Sequence, residues 1–198
     1  RQAISSAHQM MHVFYDQPIA VCGAAMVGDK GMLDLVAAWK LVLRKLPQSR
    51  LWIFGNGPKS RKVWDAIVAA DLKDSITMPG QFDDLSDIFQ AANTYVHPLR
   101  SGWPCSILAR AMASKLSSVV TEGAALTMGI EHEKTGIVVP ASQPAKLAAA
   151  LIATLEQPQT NMIESIGANA AQLAMARYDV SQVAREVVSA IRSSHSGR

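Results

Sequence analysis

From Ile19 onward, short continuous apolar runs alternate with longer segments of helical period. The first run, Ile19-Ala20-Val21-Cys22-Gly23-Ala24-Ala25-Met26, ends in the turn Gly28-Asp29-Lys30-Gly31. From Met32 to Leu46 the residues Leu35, Val36, Trp39, Val42, Leu43 and Leu46 recur at the spacing of one helix face, and Pro47 stops that helix. Residues 50–54 read as a strand broken at Gly55-Asn56-Gly57-Pro58, and a helix is expected over about 59–70. A short strand at 75–78 runs into Pro79-Gly80, and Asp83-Asp84-Leu85-Ser86 caps a short helix reaching Ala92. Further strands are expected at 94–97, 118–121 and 136–140, with a helix over about 106–115 between the first two. Helices over about 144–156, 159–176 and 181–192 close the chain.

Strands that are apolar throughout are buried on both faces, which is the signature of a parallel sheet covered by helices. The chain therefore reads as α/β: a Rossmann-like three-layer domain, with a parallel sheet of about six strands and right-handed crossovers. No internal repeat or low-complexity linker divides it. Residues 18–198 read as one domain, and residues 1–17 as an N-terminal connector or helix. In such a sheet a ligand binds outside the carboxyl ends of the strands, where the strand order reverses. The loops that follow the strands are also the stretches richest in Gly, Pro and small polar residues.

Composition narrows the partners. The 198 residues suffice for one good core, and 49% hydrophobic with 18% charged residues is ordinary globular usage. The longest uncharged apolar stretches, such as 147–155, fall short of the ~20 residues of a membrane span. The start, Arg1-Gln2-Ala3-Ile4-Ser5, has neither an apolar leader region nor an initiator Met. The start is compatible with a fragment or a processed product, and whether an N-terminal domain precedes it stays open at this point. Cys22 and Cys105 make no disulfide framework and read as reduced thiols of a cytoplasmic protein. The five histidines are scattered, the pair His8 and His12 lacks the glutamate of a zinc-protease helix, and no metal is expected.

The net charge of +3 is mild. Lys40, Arg44, Lys45, Arg50, Lys59, Arg61 and Lys62 form a loose basic sector. It reads as solvated helix faces, as a peripheral contact with an anionic membrane, or as attraction to a phosphorylated substrate. Nucleic acid is not expected, because no binding motif appears and aromatics are not interleaved with the basic residues.

Two strand-end loops carry candidate chemistry. Lys30 and Gly31 open a helix, where backbone N–H groups and a lysine charge suit a phosphate; a solvated lysine is the plain alternative. Gly55, Asn56 and Gly57 form a second glycine turn before a helix, either facing a ligand or simply making the turn. The G-x-G-x-x-G dinucleotide fingerprint is incomplete and its acidic partner is missing, which argues against a nicotinamide cofactor.

The combination is more specific than its members. Lys30-Gly31, then Gly55-Asn56-Gly57-Pro58, then Gly80-Gln81-Phe82, then Gly102-Trp103-Pro104 before Ala111-Met112-Ala113, then Glu131-His132-Glu133-Lys134-Thr135-Gly136-Ile137-Val138-Val139-Pro140 resembles the C-terminal domain of retaining GT-B glycosyltransferases, the glycosyltransferase group 1 family. Tyr178-Asp179-Val180-Ser181 is also similar, so the resemblance runs from about Ile19 to Arg192. It implies one half of a GT-B fold that binds a nucleotide-diphosphate sugar without metal or other cofactor. A separate N-terminal domain would hold a glycan or lipid acceptor.

In that chemistry the diphosphate leaves with growing negative charge, so cations and helix N-termini belong around it. The resemblance implies Lys30 as one such cation, while Ala25 stands where an arginine is usual. It implies a donor loop at Ser101, Gly102, Trp103 and Pro104. Ser101 and Arg110 occupy the positions of two family glutamates, one near the donor sugar and one on the ribose. Arg110 suits a phosphate by its fork, or a surface ion pair. Trp103 suits stacking on a base or sugar, or packing of its own loop. Glu122 resembles an aspartate of the family, Ala124-Ala125 replaces a glycine pair facing the donor, and Met128 replaces a glutamate. Two functions follow. One is the donor-binding part of a hexosyltransferase. The other is a degenerate GT-B domain that keeps the fold as a non-catalytic binding or structural module.

Overall fold

The structure, a computed structural model, describes residues 11, 17–23, 25–26, 31–98, 100 and 105–178. Along the chain it contains β1 (Ile19–Gly23), α1 (Met32–Lys45), β2 (Arg50–Phe54), α2 (Ser60–Ala69), β3 (Ile76–Gly80), α3 (Ser86–Ala91) and β4 (Thr94–His97). There follow α4 (Ser106–Ala113), β5 (Ser118–Thr121), α5 (Glu122–Met128), β6 (Ile137–Val139), α6 (Pro144–Glu156) and α7 (Asn161–Tyr178). The strands form one six-stranded sheet in the order β3-β2-β1-β4-β5-β6, with every pairing parallel. The expected three-layer α/β domain is thus present.

Each strand feeds two cores, because successive side chains point to opposite faces. Ala20, Cys22, Leu51, Ile53, Val96 and Val119 face the layer of α1, α2 and α6. Val21, Trp52, Phe54, Tyr95 and Val120 face the layer that includes α3, α4, α5 and α7. Helix α1 shows what decides local structure here. It buries Met32, Leu35, Val36, Ala38, Trp39 and Val42, and it carries Asp34 in its first turn and Arg44 and Lys45 in its last. Each large apolar side chain so buried contributes about 1.5–3 kcal/mol. The end charges add about 0.3–1 kcal/mol each against the helix dipole. The buried stripe therefore outweighs the capping charges.

Boundaries moved by a few residues for identifiable reasons. The chain leaves β1 at Gly23 rather than continuing to Met26. Strand β3 runs on through Pro79 to Gly80, which a missing N–H allows because β3 is an edge strand. The short helix α5 was not expected from periodicity. Thr121 precedes it in extended conformation, Glu122 sits in its first turn, and Gly129 ends it with φ 71°. Helix α7 lies close on α4: a Cβ at Gly167 would overlap the carbonyl of Lys115. The expected helix over 181–192 lies outside the described residues, as does nearly all of the 1–17 segment.

Candidate nucleotide-binding edge

The strand order reverses between β1 and β4, so the loops after these two strands flank the crevice. They are held against each other. Gly31 adopts φ 72°, and a Cβ there would overlap the Pro98 carbonyl. Only glycine permits both the left-handed conformation and that approach. The two loops are also clasped by charge. Arg100, after β4, donates from Nε to Asp34 Oδ2 at 3.1 Å and from Nη2 to Asp34 Oδ1 at 3.1 Å. Asp34 lies in the first turn of α1, and the two side chains are 17% (Asp34) and 40% (Arg100) exposed.

Beneath the crevice the β1 end is pinned from inside. Tyr95 is fully buried; its hydroxyl donates to the Gly23 carbonyl at 3.0 Å and accepts from the Gly23 N–H at 3.3 Å. Burial pushes the Tyr95 phenol well above its ordinary value, with the neighbouring thiols of Cys105 and Cys22 adding to the effect. Burial likewise pushes the Cys22 thiol far up. Both groups are therefore neutral structural elements rather than nucleophiles. His97, at the end of β4, stacks on Tyr95 with ring centroids 6.1 Å apart.

The second glycine turn also meets the first loop. Met26 N–H donates to the Asn56 carbonyl at 3.1 Å, and Lys59 N–H donates to the Met26 carbonyl at 3.0 Å. A Cβ on Gly57 would lie 2.5 Å from the Met26 carbonyl oxygen. Asn56 Oδ1 accepts from Gly57 N–H at 2.8 Å and from the Ser60 hydroxyl at 3.0 Å, tying the turn to the start of α2. Gly55 N–H donates to the Gly80 carbonyl at 2.8 Å, so the loops after β2 and β3 are joined as well. Gly55 and Gly80 have φ of 114° and 98°. Within the described residues the turn residues Gly55, Asn56 and Gly57 thus hold loops together.

Of the residues singled out from sequence, Gly31, Gly55, Asn56, Gly57, Gly80 and Glu122 all lie at the carboxyl edge of the sheet. Lys30, Ser101, Gly102, Trp103 and Pro104 lie outside the described residues. Glu122 is exposed at the start of α5, where a carboxylate complements the helix dipole. Arg110 turns toward the loop before α3: its Nη2 is 3.3 Å from Asp84 Oδ1. Hydrogen bonds from Ser86, helped by the Arg110 charge, hold Asp84 below the usual carboxylate range. Ala124 and Ala125 face the core, as does Met128, so these three positions carry packing rather than a ligand surface. The basic sector is partly paired within the fold, with Lys45 3.8 Å from Glu156 and Arg61 2.8 Å from Asp65. Among the described residues no group of three or more His, Cys, Asp or Glu could hold a metal, and no helix is long and apolar enough to cross a membrane.

Sequence reasoning missed Asp34, Arg100 and Tyr95. Asp34 and Arg100 are 66 positions apart, and no local pattern announces such a pair. A small cleft is lined by Asp34, Pro98, Thr121, Val139 and Gln143 among others.

The chain has relatives in sequence and in fold. The model of the family described as "Glycosyl transferases group 1" matches residues 17–157. The chain belongs to that family. Among individual proteins, it is similar to alpha-D-kanosaminyltransferase of Streptomyces kanamyceticus, at 25% identity over 168 residues. That alignment covers 84% of this chain and 43% of the relative, so the group 1 glycosyltransferase sequence here spans less than half of that relative's length. In fold it is similar to sucrose-phosphate synthase from Thermosynechococcus elongatus, with TM-score 0.84, 23% identity, and coverage of 98% of this chain and 49% of that one. It is similar to Anabaena HepE in complex with UDP-glucose, with TM-score 0.83, 18% identity, and coverage of 97% and 52%. At such identities the two solved structures speak for the fold.

Proposed function

We propose that this chain is the donor-binding half of a retaining glycosyltransferase. It would bind a nucleotide-diphosphate hexose at the crevice between the loops after β1 and β4. A second domain would hold a glycan or lipid acceptor, and no metal or other cofactor would take part. The observation that carries this reading is the strand-order reversal between β1 and β4, with its two loops meeting at Gly31 and Pro98 in a chain of the group 1 family. A fold-mate in complex with UDP-glucose supports the ligand class.

The chemistry asked of this half is to bind and orient the donor and to accept charge on the departing diphosphate. Lys30 and the donor loop Ser101-Gly102-Trp103-Pro104 are part of this proposal, together with the edge glycines. The acceptor's proton would pass to the departing phosphate, so this half need not supply a general base. The chain alone would not turn over, because the cleft needs both halves; glycosyl transfer by the purified 198-residue chain would refute that. We place the protein in the cytoplasm, with peripheral attachment to anionic lipid through the basic residues of α1 and α2.

A second reading has its own support. Arg110 faces Asp84, and Ala124, Ala125 and Met128 face the core, as in a domain that has kept the scaffold and become a non-catalytic module. Thermal unfolding with UDP, GDP, ADP and their hexose conjugates separates the two. A ligand at 100 times its Kd stabilises the fold by about 2.7 kcal/mol, or a Tm rise of about 5–11 °C for a domain of this size. The donor reading expects such a rise with at least one nucleotide at millimolar concentration; no rise with any of them leaves the module.

A further inference from the structure

We infer that Arg100 is the guanidinium that receives the diphosphate of the nucleotide ligand, and that Asp34 is the residue that positions it. The inference rests on the donor-binding reading and adds a residue to it.

Three observations converge on Arg100. It lies on the loop after β4, two residues past Pro98, on one wall of the crevice at the reversal of strand order. Its side chain crosses to the other wall and meets Asp34 in α1 through two hydrogen bonds of 3.1 Å. Its side chain nevertheless keeps 40% of its surface exposed, whereas Asp34 keeps 17%. Asp34 is thus the more sheltered member of the pair, and the Arg100 side chain is the more exposed one.

The pairing also answers an electrostatic difficulty. An anion entering between these loops approaches a carboxylate fixed in the first turn of α1, and like charges repel. The Arg100 fork covers that carboxylate and presents positive charge in its place. Arginine suits this task because its planar group can grip a carboxylate with one edge while the charge remains delocalised over the rest. Holding the long side chain beforehand also removes rotamer freedom that a ligand would otherwise have to freeze. Arg110, on α4, faces Asp84 before α3 instead.

The two residues also separate cleanly by role. Arg100 would touch the ligand; Asp34 would act through Arg100. Arg100→Ala then removes a phosphate contact and uncovers an anion. Arg100→Lys keeps the charge but cannot make the two-point grip on Asp34. Arg100→Ala combined with Asp34→Asn removes both charges together.

The test is isothermal titration of the full 198-residue chain with the tightest of UDP, GDP and ADP, and with the corresponding nucleoside, with melting temperatures recorded for each variant. Arg100→Ala is expected to weaken the diphosphate at least tenfold and leave the nucleoside within twofold. Arg100→Lys is expected to fall between, and it carries the test alone if the alanine variant does not fold. The double variant is expected to stay at least fivefold weaker than the unaltered chain. Diphosphate affinity unchanged in Arg100→Ala, or in Arg100→Lys where that variant carries the test, overturns the inference while leaving the donor reading intact. Full recovery in the double variant overturns it too, because Arg100 would then only mask Asp34. Equal losses for diphosphate and nucleoside overturn it in favour of a loop-holding role. No binding of any nucleotide by the unaltered chain overturns both readings.

Discussion

Gly57→Ala adds one methyl group at the point where the loops after β1 and β2 touch. The new Cβ would lie 2.5 Å from the Met26 carbonyl oxygen, 2.7 Å from its carbon and 3.0 Å from the Met26 nitrogen. All three are backbone atoms, so no side chain can rotate away. Relief requires the loops to part by roughly 1 Å, and overpacking of this kind costs about 1–3 kcal/mol. Parting stretches the bonds from Met26 N–H to Asn56 at 3.1 Å and from Lys59 N–H to Met26 at 3.0 Å beyond useful length. Each such bond is worth about 1 kcal/mol. Against this, alanine stiffens the unfolded chain and returns about 0.4–1 kcal/mol. The net expectation is a loss of about 3 kcal/mol, read as a Tm fall of about 6–12 °C.

Gly80→Ala is the internal control. Its φ is 98° but a Cβ there meets nothing within 4 Å, so only backbone strain of about 1–2 kcal/mol applies. Differential scanning calorimetry of both variants checks the ordering. A Gly57→Ala protein that melts within about 2 °C of the unaltered chain, or above Gly80→Ala, would falsify the close-approach account of this turn.

Two further outcomes follow from the groups under the crevice. Tyr95→Phe removes the buried hydroxyl bonded to both polar groups of Gly23, so urea denaturation is expected to show a loss of about 1–3 kcal/mol; an unchanged midpoint would mean these bonds contribute nothing. Cys22 is an acid whose folded pKa is raised, so above its ordinary value of 9.0 the unfolded chain loses a proton that the folded chain keeps. Its stabilising contribution is whole below pH 9.0 and drains away as pH rises from there, by up to about 1.4 kcal/mol per pH unit. Denaturation at pH 8, 9 and 10 should therefore show a shallower alkaline decline in Cys22→Ala than in the unaltered chain, and parallel declines would refute the burial argument.

The sequence by itself determined the alternation of strands and helices, and with it the parallel sheet. That information is local: an apolar run such as Leu51-Trp52-Ile53-Phe54 can be satisfied only between two helical layers, and the stripe of α1 only against one. Family membership was legible for a related reason, because the strand-end turns lie in order along the chain. Helix α5 escaped because seven residues hold too few turns to show a period, and its ends are set by Thr121 and Gly129 rather than by a stripe. Tertiary structure alone decided which loops meet. Gly31 against Pro98, Gly57 against Met26, Arg100 on Asp34 and Tyr95 on Gly23 are all contacts across crossovers, created by a strand order that places β2 and β4 on either side of β1. Such pairs have no spacing of their own in the sequence, because the distance between them is set by the width of a sheet and not by the period of a helix or strand.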